Sequence, residues 1–200
     1  MTMYLIRHGQ ALAGSEDLDP GLAEIGHRQA RATTDALAGK RVARVVVSPL
    51  RRTRETAEPI AEAFAVKAEI REEVAEVFAP DMPAEQRVAM IGPFMAGRWS
   101  EQPDDLRAWR QRVVDTLIQL GLETAARDGD LVVVSHYIAI GVAIGEATGD
   151  DRVVPVPMAN CAITTIEAAR GGLTLVEACA VGHLPEDLVT GAGGAQLRQR

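Results

Sequence analysis

Cysteine is scarce: Cys161 and Cys179 are the only two in 200 residues. Each lies in an apolar, strand-like stretch, which reads as a small buried hydrophobe rather than half of a secreted disulfide framework. A reducing cytoplasm is therefore the expected compartment. Aromatic residues make up 4% of the chain, and the net charge is −7. No cluster of Lys and Arg interleaved with aromatics occurs, so general nucleic-acid binding, which uses basic patches to displace counterions from phosphates, is not expected. Long hydrophobic runs are missing too. The most apolar window, Leu131 to Gly145, contains Ser135, His136 and Tyr137 and falls short of the roughly 20 apolar residues of a membrane span. The first six residues are too short and uncharged for a signal peptide, so neither a membrane partner nor export is expected. No internal repeat stands out.

What is present, 47% apolar residues with mixed charge, suffices for one buried core and predicts a single domain over residues 1–200. Its organising stretch is Leu5-Ile6-Arg7-His8-Gly9, an apolar run that ends abruptly in polar side chains. Such a run reads as a buried strand delivering an imidazole and a guanidinium to the carboxyl edge of an open α/β sheet, where ligands collect. Gly9 lets backbone and ligand approach closely. An isolated Arg-His-Gly is more often a solvated strand end, so companions elsewhere must decide.

Those companions follow in order. A helical spacing runs from Leu22 to Leu37 with Gly39 as a stop, and Val42 to Val47 reads as a second buried parallel strand. Ser48 is the expected N-cap of the next helix, with Pro49 at its first position. Arg51, Arg52 and Arg54 then fall in the first turns, and at about 100° per residue at most one or two of them reach the crevice. Val66 to Ile70 reads as a short strand, residues 77–103 as a small, partly helical cap, and Asp104 to Ala126 as a long helix with Leu106, Trp109, Val113, Leu117 and Leu120 on one face. Met82, Met90 and Met95 are expected to fill a small core under the cap. Leu131 to Val134 is the strongest strand signal and again ends in a histidine, His136, before a helix from Tyr137 to about Thr148. Residues 162–181 alternate around Gly171-Gly172 like a β-hairpin, and His183 is expected to cap a turn. Two of four histidines at equivalent strand ends is a stronger coincidence than either alone.

With these motifs the chain resembles the histidine phosphatase superfamily, on the branch that includes cofactor-dependent phosphoglycerate mutases and related small phosphatases. Arg7-His8-Gly9 matches the family's opening motif, and Ser48 to Ala57 matches its Ser-x-Leu-x-Arg-Ala-x-Gln-Thr-Ala segment with Arg52 as the phosphate-binding arginine. Val132 to His136 matches the later strand with the second histidine, while Gly26, Gln29 and Asn160 fit lesser positions. The resemblance implies a three-layer sandwich with a central, mostly parallel sheet flanked by helices. It also implies a covalent phosphohistidine on His8 and a carboxylic acid after the third strand, where Val74-Ala75-Glu76 fits best and Glu73 is the fallback. No cofactor is expected.

The chemistry gives each residue type a reason. Arg7 and Arg52 grip phosphoryl oxygens in bidentate fashion, protonated His136 adds a charge-assisted donor, and Gly9 brings the backbone close. His8 must be neutral at the attacking nitrogen. Glu76 protonates the leaving oxygen and then activates water. Departures from the family pattern fall at Gln10-Ala11, at Gly14 and at Tyr137, which makes Gln10 and Tyr137 candidate substrate contacts. The expected function is hydrolysis of a phosphomonoester, on a small molecule or a phosphorylated protein side chain, by a monomer or homodimer. Alternatives are a phosphoglycerate-type mutase, disfavoured because no basic cluster occurs in residues 80–99, and a non-catalytic phosphate-binding module. A hydrolytic metal site at His8, His136, His183 and Glu76 ranks lower, because arginines beside the same histidines repel a divalent cation; no metal is expected.

Overall fold

The computed structural model describes residues 1–12, 17–78 and 84–191, with residues 84–89 described by their backbone alone. Gly14, Met82 and the tail after Gly191 lie outside the described residues. Six strands form one sheet: β1 (Thr2–Arg7), β2 (Val42–Val47), β3 (Ala68–Ile70), β4 (Asp130–Ser135), β5 (Ile163–Ala169) and β6 (Gly172–Ala180), in the order β3-β2-β4-β1-β5-β6. The first four run parallel, while β5 and β6 add an antiparallel edge on the β1 side.

The apolar runs are continuous because both faces of the sheet are covered. Tyr4, Ile6, Val45, Val47, Val132 and Val134 face one core, with Ala57 and Ile60 of α2 (Arg51–Ala63) and Leu37 after α1 (Glu24–Ala36). The alternate residues Met3, Leu5, Val46, Leu131 and Val133 face the other, with Val113, Leu117 and Leu120 of α4 (Asp104–Ala125) and Ile140 and Ile144 of α5 (Tyr137–Thr148). The result is the expected three-layer α/β architecture. Leu131 to Val134 are wholly buried, and side chains of this kind contribute about 1.5–3 kcal/mol each.

Helix α3 (Ala84–Ala96) and a short 3-10 turn at Trp99–Glu101 occupy much of the stretch between β3 and α4. Phe78, Phe94, Trp99 and Trp109 contact one another in series, with centroid separations of 5.1, 5.6 and 6.0 Å. Among the described residues these aromatics fill this region together with Met95, which packs against the core, whereas Met90 is 40% exposed.

The start of α2 also departs from expectation. The helix begins at Arg51, two residues later than the Ser48-Pro49 pattern predicts, with Leu50 extended at its N-cap and making no side-chain cap. Asp19 supplies the cap from another part of the chain, its two carboxylate oxygens accepting the Arg51 N–H at 2.9 and 3.0 Å. Glu55 reciprocates by accepting the Leu22 N–H at 2.6 Å. The two segments are thus latched in both directions, and Ser48 Oγ, which accepts the Leu50 N–H at 3.4 Å, keeps a lone pair for another partner.

Helix α1 approaches the loop after β1 at Gly26. A Cβ there would lie 2.3 Å from the Gln10 carbonyl oxygen. That oxygen already accepts the Ala23 N–H at 2.9 Å, so it has little freedom to retreat. Helix propensity alone favours alanine over glycine by about 1 kcal/mol, whereas overpacking against fixed backbone costs roughly 1–3 kcal/mol. The clash outweighs the propensity gain. Gly26→Ala is expected to destabilise the fold by about 1–2 kcal/mol, read as a lower urea midpoint at constant slope; an equal or higher midpoint contradicts the close approach.

Candidate active site

The parallel pairing of β1 with β4 places Arg7 opposite Ser135, and that of β2 with β4 places Val47 opposite Val134. One residue beyond those pairs, three strands release His8, Ser48 and His136 at a single edge. The His8 and His136 ring centroids are 5.2 Å apart, in an edge-on arrangement. Residues separated by more than a hundred positions meet because register is transmitted along the ladder.

Arg52, in the first turn of α2, lies between the two rings. Its Nε–H donates to His8 Nε2 at 3.3 Å, and its Nη2 donates to His136 Nδ1 at 3.4 Å. A guanidinium has no acceptor, so both ring nitrogens facing it carry lone pairs. His8 then holds its proton on Nδ1, which donates to the Gly9 carbonyl at 2.8 Å. His136 holds its proton on Nε2, which donates to Ser48 Oγ at 2.7 Å. Arg51 instead pairs with Glu55 at 2.7 Å, and Arg54 is exposed. One of the three arginines reaches the histidines, in keeping with the helical period.

Arg7 is held at the end of β1 by two contacts. Its Nη1 donates to the Met158 carbonyl at 2.6 Å, and its guanidinium carbon lies 4.9 Å from the centre of the Tyr137 ring. Tyr137 uses the same residue, its hydroxyl oxygen accepting the Met158 N–H, so the two residues share one anchor. Tyr137 therefore holds its ring face against the Arg7 guanidinium. The Arg7 Nε–H is buried without an acceptor among the described residues. An unpartnered guanidinium N–H is costly to bury unless an anion is to be met there.

Glu76 is held at the N-terminus of α5. Its Oε1 accepts the Val77 N–H at 3.0 Å, and its Oε2 accepts the Ile138 N–H at 3.3 Å. Ser135 Oγ donates to the Val74 carbonyl at 2.7 Å, tying the segment before Glu76 to the end of β4. Glu73, by contrast, is exposed. Gln10 is fixed through its main chain, its N–H donating to Gln29 Oε1 at 2.8 Å. His183 lies apart in a turn after β6, with Nε2 3.2 Å from Thr33 Oγ1. Among the described residues, no group of three or more His, Cys, Asp or Glu side chains is placed to hold a metal ion. Both cysteines are free and buried, and burial pushes the Cys161 thiol up to about 12.

Burial and the neighbouring cations set the protonation states. Desolvation, with Arg52 and Arg7 close by, lowers His8 to about 3. The same burial, with His8 and both arginines, carries His136 well below its ordinary value. In the substrate-free protein His136 is therefore a neutral ring, whereas the sequence reading has it protonated against a phosphoryl group. Burial raises Glu76 above the usual carboxylate range, although its two backbone donors and the arginines oppose the shift.

Sequence reasoning missed Ser48 as the partner of His136, Asp19 as a helix cap, and Thr56, whose Oγ1 accepts the Gly9 N–H at 3.0 Å and donates to the Arg52 carbonyl at 2.6 Å. Each is a small polar residue whose partner lies 30 or more positions away, or across a loop, so no local periodicity announces it.

The two imidazoles are expected to stay neutral from pH 8 to pH 5 in an NMR titration, and Arg52→Gln to raise the His8 midpoint by removing the nearest cation. The sign for stability follows. An unfolded histidine binds a proton near 6.5 and folded His8 only near 3, so the unfolded state takes up protons between those values and stability falls as pH drops through that window. His8→Asn should flatten this fall in a series of urea melts; a slope unchanged in the variant contradicts the assignment.

A profile of the histidine phosphatase superfamily (branch 1) matches residues 3–180. No curated protein matches by sequence. Among solved structures, a phosphoserine phosphatase from Entamoeba histolytica, in complex with 3-phosphoglyceric acid, superposes with a TM-score of 0.71 at 20% identity, covering 92% of this chain and 99% of that one. A mycobacterial glucosyl-3-phosphoglycerate phosphatase gives 0.69 at 20% identity over 90% and 99%. A phosphoglycerate mutase from Bacillus anthracis gives 0.70 at 18% identity over 91% and 94%. At such identities these likenesses establish the fold. The profile match spans nearly the whole sequence, and with His8, Arg52 and His136 gathered at one sheet edge the chain belongs to branch 1 of the histidine phosphatase superfamily.

Proposed function

We propose that the protein is a phosphatase that hydrolyses a phosphomonoester, on a small molecule or a phosphorylated protein side chain, through a covalent intermediate on His8. The observation that carries this reading is the tautomer of His8: Nδ1–H is engaged by Gly9 O, so the Nε2 lone pair is presented between Arg52 and His136. In the first step Nε2 attacks phosphorus, the bond to the leaving oxygen breaks, and Glu76 gives that oxygen its proton. In the second step the Glu76 carboxylate takes a proton from water, which attacks the phosphohistidine; the P–N bond breaks and inorganic phosphate departs. Arg7 and Arg52 neutralise charge spreading over the transferring oxygens. A phosphoryl dianion opposes the repulsion that keeps His136 neutral, so His136 gains a proton at Nδ1 and becomes a further donor.

No metal is required in this scheme, since two guanidiniums supply the positive charge. The sequence departures at Gln10 and Tyr137 shape the rim, Gly9 lines the approach, and within the cap proposed over residues 77–103 the described residues carry an aromatic series that begins two residues after Glu76. A mutase reading calls for a second anion-binding cluster, whereas Arg51 is engaged by Glu55. Two buried free thiols suit the cytoplasm.

Purified protein is expected to hydrolyse an aryl phosphate in the presence of EDTA, and rapid quenching to trap an acid-labile phosphoenzyme that His8→Ala lacks. Label retained in His8→Ala would overturn the nucleophile. Glu76→Gln should slow formation of the phosphoenzyme by roughly 10²–10⁴-fold from an alkyl phosphate and by less from an aryl phosphate, whose leaving group needs no proton. Because Glu76 must be protonated and is shifted upward, kcat/KM falls on the alkaline side as Glu76 ionises; the acid limb, where His8 takes a proton, lies far lower. Glu76→Gln abolishes the alkaline limb, and a limb that survives assigns the acid elsewhere.

A further inference from the structure

Gln29 lies in the middle of α1, wholly buried, and makes three hydrogen bonds. A buried primary amide is an expensive choice for a helix–sheet interface unless its donors and acceptor are all used. Here they are. Oε1 accepts the Gln10 N–H at 2.8 Å, while Nε2 donates to the Leu188 carbonyl at 2.7 Å and to Thr190 Oγ1 at 2.8 Å.

The chain of donors continues. Thr190 Oγ1 donates to Asn160 Oδ1 at 3.3 Å, and Asn160 Nδ2 donates to the His8 carbonyl at 3.1 Å. The main chain from His8 to Gln10 closes the ring. Donation runs in one direction throughout, and flipping the Gln29 amide would set its NH₂ against the Gln10 N–H and its oxygen against the Leu188 carbonyl. Only one orientation of Gln29 satisfies the ring.

The Gln10 N–H and the Gly9 C=O belong to the same planar peptide unit. One end of that plane is held by Gln29 Oε1, and the other accepts the His8 Nδ1–H at 2.8 Å. Rotation of the plane would turn the Gly9 carbonyl away from the ring and free the imidazole to take the other tautomer, with its proton on the attacking nitrogen. Neighbouring contacts hold the unit only at its flanks: Gly9 N–H donates to Thr56, and Gln10 C=O accepts from Ala23. Gln29 is the side chain that acts on the plane itself.

We infer that Gln29 is a positioning residue that, acting on the Nδ1 side through the Gly9–Gln10 peptide while Arg52 acts on the Nε2 side, holds the tautomer of His8 from within a closed hydrogen-bond ring that includes Thr190 and Asn160. Its kinetic consequence rests on the phosphatase reading; its structural consequence does not.

The test compares Gln29→Met, which keeps the volume and loses the acceptor, with Gln29→Glu, which keeps an acceptor for the Gln10 N–H. The first readout is the ¹⁵N spectrum of His8 in the substrate-free protein at pH 7. Wild type and Gln29→Glu are expected to show the Nδ1–H tautomer, and Gln29→Met a mixture in which Nε2 carries proton. The second readout is turnover of an aryl phosphate, where Gln29→Met is expected to lose about 10–100-fold in kcat, the usual scale for partners that orient a functional group, with KM little altered. A Gln29→Met protein that keeps the wild-type tautomer overturns the inference. So does a Gln29→Glu protein that loses it, and this arm decides alone where the methionine variant does not fold. Should the wild type show no phosphatase activity while the tautomer shifts as described, the function fails and the positioning role stands.

Discussion

The hydrogen-bonded register between β1 and β4 is the constraint on which the rest depends. Setting Arg7 opposite Ser135 puts the next residue of each strand, His8 and His136, side by side at the carboxyl edge. A slip of one residue would turn each apolar run to the opposite core and carry one histidine away from the other. The two cores resist such a slip, because Leu131 to Val134 alternate strictly between them and are wholly buried. Packing energy spread along the sheet is thereby converted into a distance between two imidazoles.

Around that pair, electrostatics and hydrogen bonding divide the work. The guanidinium of Arg52 faces both rings and, having no acceptor, obliges each to present a lone pair. Backbone and hydroxyl groups take the other nitrogens: Gly9 for His8 and Ser48 for His136. Positive charge and burial keep both imidazoles neutral, while burial alone keeps Glu76 inclined toward its acid form. One environment therefore shifts the imidazoles downward and the carboxyl upward without any direct bond between them.

Much of this was legible in the sequence. The strands that end in Arg7-His8 and Ser135-His136, the helix that follows each, and the selection of one arginine among three follow from apolar runs and a 3.6-residue period. The hairpin at Gly171-Gly172 is equally plain. The polar scaffold was not. Gln29 and Asn160 were visible only as lesser matches, and Ser48 resembled a helix cap by local rule when its hydroxyl in fact answers His136. Met90 looked like core filler but is exposed, since the aromatic series from Phe78 to Trp109 had already filled that space. Local pattern reports which face of an element is buried; it does not report which distant polar group will be waiting there.

The two helices that abut the histidines both meet a carboxylate at their first turn: Asp19 at α2 and Glu76 at α5. Exposed helix N-termini are ready anion sites, and here both are already stoppered from within. Asp19 lies, in addition, 3.9 Å from an Arg52 nitrogen. The guanidinium that faces both imidazoles thus carries a counter-charge of its own within the fold, and an anion arriving there meets a cation already partly neutralised.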